Sequence, residues 1–85
     1  MSEATRRLAG EMMQVLEAAA AETANADVSL VSITLDATGE VSAATVTYDI
    51  AVDRKTRTLV FLNARALDGD APVMTGTAVF AIKAG

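Results

Sequence analysis

Glu17 is the residue best suited to chemistry in this chain. It lies in the run Gly10-Glu-Met-Met-Gln-Val-Leu-Glu17-Ala-Ala. A carboxylate half-buried beside Met13 would have its pKa raised, because burial disfavours the charged form. So tuned, it is a general base near neutral pH. The plainer reading leaves Glu17 solvated on the polar face of a helix, near Arg6. A second set is Arg54, Lys55 and Arg57, a basic cluster in a chain of net charge -4. Such residues can hold phosphate groups by charge-assisted hydrogen bonds. Equally, a basic hairpin is a solvated turn that discourages aggregation at a sheet edge. Gly10 has its own structural reading, as a residue that permits close packing against a strand or another protomer.

What is missing narrows the chemistry further. The chain has no His and no Cys, so a disulfide is excluded and a zinc or other transition-metal site is not expected. No cofactor is implied. The negative net charge argues against nucleic acid as the main partner. Arg6 and Arg7 are followed by Gly, Glu and Gln where a signal peptide would be apolar, and no apolar run approaches the ~18 residues of a membrane span. A cytoplasmic protein is the expectation.

The elements that must position these residues change character once along the chain. Over residues 5–24 the apolar side chains keep a helical period. At ~100° per residue, Leu8, Met12, Val15, Leu16, Ala19, Ala20 and Thr23 fill an arc of roughly 160°, with Ala9 and Met13 at its margin. Ser2 or Thr5 caps the start and Asn25 is a plausible stop.

From Val28 onward the period is two. A first strand is expected over Val28–Leu35, with Val31, Ile33 and Leu35 on one face. Asp36-Ala37-Thr38-Gly39 then makes a turn, with Gly39 in the left-handed position. A second strand spans Glu40–Val52, with Val46, Tyr48, Ile50 and Val52 on one face. After a turn at Asp53-Arg54-Lys55-Thr56, a third strand covers Arg57–Leu67. A turn at Asp68-Gly69-Asp70 leads to a fourth strand over Val73–Lys83, with Met74, Gly76, Ala78, Phe80 and Ile82 inward. The third strand is apolar on both sides: Leu59 and Phe61 on one, Val60 and Leu62 on the other. Placing Val60 and Leu62 outside implies a covering partner, and a second protomer is the economical one. A single domain of 85 residues, 1–85, buries only about 60–65% of the surface of its unfolded chain, which also favours oligomerisation. The fold class expected is α+β, with one long N-terminal helix wrapped by a four-stranded curved antiparallel sheet.

This pattern resembles the hotdog fold of acyl-CoA thioesterase-like proteins. Gly10 and Glu17 stand where that family has the second Gly of a His-Gly-Gly opening and, seven residues later, an acidic residue on the helix. Leu8 and Ala9 occupy the positions of the His and the first Gly. The stretch Leu35-x-x-x-Gly39-Glu40-Val41-x-Ala43-x-Thr45-Val46 is similar to the family's turn into its long central strand. Met74-Thr-Gly-Thr-Ala-Val-Phe-Ala-Ile82 resembles its final strand. The family usually has a strand before the helix, whereas this chain starts almost at the helix.

The resemblance implies hydrolysis or binding of an acyl thioester at the interface of a homodimer or homotetramer. Glu17 would then be the general base or nucleophile. Gly10 would offer a backbone N–H to the thioester oxygen, and Arg54, Lys55 and Arg57 would hold coenzyme A phosphates. Hotdog hydratases and dehydratases use a catalytic His, which this chain lacks. Two readings from other classes remain: a catalytically silent hotdog domain that binds an acyl group or a protein, and an α+β structural module without a ligand.

Overall fold

A computed structural model describes residues 2–41 and 45–83. One helix, α1 (Glu3–Ala24), precedes four strands: β1 (Val28–Ala37), β2 (Thr47–Lys55), β3 (Leu59–Asp68) and β4 (Ala71–Ile82). Ser2 is the helix cap, its Oγ accepting the N–H of Thr5 at 3.1 Å. That satisfies one of the donors a helix start leaves unpaired. Asn25 ends the helix at φ 52°, in the left-handed region, and the Ala26 N–H donates to the carbonyl of Ala21 at 3.3 Å. Asn tolerates that backbone better than most residues, so the stop is local chemistry.

Leu8, Met12, Leu16 and Ala20 are buried, one per helical turn. Burying each of the three large ones is worth about 1.5–3 kcal/mol. Ala9, Val15 and Ala19 are half-buried, while Met13 and Thr23 are exposed. The buried stripe is therefore narrower than the apolar arc of the wheel.

The strands form one antiparallel sheet in the order β1-β4-β3-β2, with α1 packed on β1, β4 and β3. Gly76 makes room chiefly for Leu35 of the neighbouring strand β1, while the helix would lie at ordinary contact distance. A Cβ there would sit 2.8 Å from Leu35 Cδ2 and 3.6 Å from Met12 Cγ. The core joins the helix stripe to Val60, Leu62, Ala64 and Ala66 of β3 and to Val73, Met74, Ala78 and Phe80 of β4. Among the described residues no helix is long and apolar enough to cross a membrane.

Several details differ from the sequence expectation. Val60 and Leu62 face the helix, and Leu59 and Phe61 are the half-buried outer pair. Register decides this: Val60 pairs with Phe80 and Leu62 with Ala78, both on the inner face. The argument for a partner over Val60 and Leu62 therefore lapses. Val31 does not share the face of Ile33 and Leu35, because a β-bulge between Leu30 and Ser32 turns it outward. Leu30 takes the inner position opposite Phe80.

The strand bounds shift as well. Asp36 and Ala37, expected in a turn, continue β1 against Thr75 and Met74. Among the described residues, the glycine at positive φ is Gly69 at 66°, in the expected Asp68-Gly69-Asp70 turn, and not Gly39. β2 begins at Thr47, seven residues later than expected. Residues 42–44 of the expected strand lie outside the described residues. A second bulge, between Val52 and Arg54, carries β2 on to Lys55. The hairpin turn consequently falls at 56–58, where the Thr56 Oγ1 accepts the N–H groups of Thr58 and Leu59 at 3.3 and 3.0 Å.

Candidate functional site

Residues 10, 13, 14 and 17 lie at helical spacings of three and four, so they share one stripe of α1. The stripe runs beside the buried one, on the side toward β1. Gly10, Met13, Gln14 and Glu17 form one wall of a groove whose other residues are Leu30 and Ile33 of β1 and Phe80 of β4. Its cavity volume is about 320 Å³. That lies at the small end of ligand-sized pockets, and the lining is mostly apolar, as such pockets are. The bulge at Val31 helps build it by turning Leu30 inward above Phe80.

Gly10 and Glu17, the positions that the family resemblance singles out, are thus brought to one groove. Neither behaves quite as expected. Glu17 is exposed, not half-buried as expected, although it lines the groove. A Cβ built on Gly10 meets nothing within 4 Å, so within the chain this glycine is not demanded by close packing. Its missing side chain widens the groove instead. Gly10 also lies well inside α1, where a backbone N–H is bonded to the carbonyl four residues back. It has no free N–H to offer a ligand.

Arg54, Lys55 and Arg57 are not brought to the groove. Arg54 and Lys55 end β2 and Arg57 lies in the turn that follows, at the sheet edge opposite β1. Sequence reasoning missed Gln14, Leu30, Ile33 and Phe80 as groove residues. The signal for Gln14 was present: it falls between Gly10 and Glu17 on the same stripe. For the other three it was absent, because pairing across strands brings them to the helix.

On the helix's other flank, the Tyr48 hydroxyl donates to Glu11 Oε2 at 2.9 Å, joining β2 to α1. The Tyr48 pKa is pushed from 10.0 up to about 12, first by burial and then by the hydrogen bond to Glu11 and its negative charge. A shallow depression of about 270 Å³ lies over Asp49, Ile50, Ala51, Asn63 and Arg65. Its charged groups are already paired: Arg65 Nη2 meets Asp49 Oδ2 at 3.0 Å. At 56% and 64% exposure, that pair is worth no more than about 1 kcal/mol.

A helix lying across a curved, four-stranded antiparallel sheet, with an apolar groove at its flank, defines a hotdog-like α+β protein. Residues 8–81 match the acyl-CoA thioesterase N-terminal domain, and the chain belongs to that family. Two solved structures share the fold. One is a phenylacetic acid degradation-related protein of Ralstonia eutropha JMP134, 18% identical with a TM-score of 0.64. The other is a protein of Chromobacterium violaceum, 17% identical with a TM-score of 0.62. Each likeness covers 67% of this chain and 43% of the other, so this chain spans less than half of those relatives. No curated protein matches it.

Proposed function

We propose that the chain acts on an acyl thioester, with the acyl group in the α1–β1 groove and Glu17 as general base on the attacking water. One observation carries this reading: Gly10 and Glu17, the positions that match the family's motif, line the same ligand-sized apolar groove. The apolar walls suit an acyl chain, and the exposed carboxylate suits a group that must meet water. Arg54, Lys55 and Arg57 serve as anchors for coenzyme phosphates. They lie across the sheet from the groove, so they would serve the groove of a neighbouring copy. On this reading the protein works as a homodimer or homotetramer.

The test is hydrolysis of short, aryl and long acyl-CoA by the wild type and by Glu17→Gln. Loss of a general base lowers turnover by about 10²–10⁴-fold. Equal rates for the two proteins across the whole panel would end the reading. A second reading, a catalytically silent domain that binds the acyl group, draws on Gly10. Because its N–H is already used by the helix, the expected backbone donor for the thioester oxygen is missing. Tight binding of acyl-CoA without turnover is the result that selects it.

A further inference from the structure

The groove has a base but, with Gly10 committed to the helix, no backbone donor on that stripe for the carbonyl oxygen of a thioester. Two polar side chains line it, Gln14 and Glu17. An ionised Glu17 only accepts hydrogen bonds, whereas the Gln14 carboxamide carries two N–H donors. Gln14 is therefore the one side chain of the lining that can donate to a carbonyl. It is exposed, and its side chain has no hydrogen-bond partner among the described residues. Its donors are free to meet a ligand. Three positions apart on one helix, Gln14 and Glu17 have Cβ atoms about 5–6 Å from each other. A thioester carbonyl lying beside this pair would have its oxygen at Gln14 and the attacking water at Glu17.

We infer that Gln14 holds the thioester carbonyl oxygen and takes the place of a backbone oxyanion donor. The inference rests on the proposed thioester reading of the groove. Water oxygen bonds to the carbonyl carbon while Glu17 accepts the water proton. The carbonyl π pair moves onto the oxygen, which Gln14 stabilises as it becomes negative. When that pair returns, the C–S bond breaks, and the departing thiolate takes the proton back from Glu17. The products are a carboxylic acid and a thiol. Donors aimed at the developing oxyanion do most of their work in the transition state.

The experiment compares wild type, Gln14→Ala and Glu17→Gln on two inert acyl-CoA analogues, alongside hydrolysis of acyl-CoA. In the ketone analogue the sulfur is replaced by CH2 and the carbonyl is kept. In the thioether analogue the carbonyl is replaced by CH2. Ala is the strongest helix former, so Gln14→Ala keeps α1 intact. Gln14→Ala is expected to weaken the ketone about tenfold, one lost neutral hydrogen bond, and to leave the thioether unchanged. Its kcat falls about 10²–10³-fold, and its KM rises by no more than about the tenfold seen for the ketone. If wild type binds both analogues but turns nothing over, a lost ketone preference in Gln14→Ala still upholds Gln14 as the carbonyl holder while hydrolysis fails. A ketone-to-thioether ratio equal to wild type in Gln14→Ala overturns the inference, even where Glu17→Gln is inactive. Failure of wild type to bind either analogue overturns it as well.

Discussion

Tyr48 and Glu11 show how much one contact between side chains determines on the helix's second flank. Their 2.9 Å hydrogen bond joins β2 to a helix that otherwise packs on the remaining strands. The raised Tyr48 pKa gives it a pH signature. A phenol whose folded pKa lies above its unfolded value contributes stability that is intact below pH ~10 and lost as pH rises from there toward about 12. Tyr48 is the only Tyr and there is no Trp, so phenolate absorbance reports this residue alone. Its midpoint is expected near 12 in the folded protein and lower in Glu11→Gln. An unaltered midpoint in that variant would show that the carboxylate does not hold the phenol. By contrast, Glu17 lines the groove with no partner among the described residues.

Among the elements, β3 is the one whose orientation the structure had to decide. With apolar residues on both sides, its inner face is set by pairing with β4, which places Val60 and Leu62 against α1. Truncating the two sides should therefore cost different amounts. Leu62→Ala, at 1% exposure, should lose about 2–5 kcal/mol, the usual cost of a buried Leu replaced by Ala. Leu59→Ala, half-buried on the outer face, should lose less than half of that. Denaturant melts of the two variants measure the difference, and the reverse order would mean β3 is inverted. The helix end at Asn25 was legible, and its start was narrowed to Ser2 or Thr5, because such signals act on backbone within a turn of themselves; the structure selects Ser2. The bulges at β1 and β2 were not legible, since an extra residue in a strand is defined only against the strand it pairs with. Those bulges moved the second turn and brought Leu30 into the groove.

At the scale of the whole molecule, the large apolar side chains left exposed fall in two places. Among the described residues, Met13 and Leu30 lie at the groove with Val31 on the opposite face of β1, and Ile50 and Val52 lie on β2, at 38–58% exposure. Both strands are sheet edges, and α1 leaves β2 largely uncovered. This replaces the outer face of β3 as the reason to expect a partner, and a second copy remains the occupant proposed. Light scattering should then give a mass at least twice the 8.8 kDa of one chain. A mass of one chain at micromolar concentration would remove the neighbouring copy, and with it any role for Arg54, Lys55 and Arg57 at the groove.

Sequence alone determined the order of elements, the end of the helix at Asn25, the inward face of β4 and the seven-residue spacing that sets Gly10 and Glu17 on one helical stripe. All of these follow from periods and caps that act over a few residues. Tertiary structure decided which side of β3 is buried, where β2 begins and ends, and that Leu30, Ile33 and Phe80 close a groove beside Glu17. Those outcomes depend on register between strands far apart in the chain, and a shift of one residue in register exchanges the two faces of a strand.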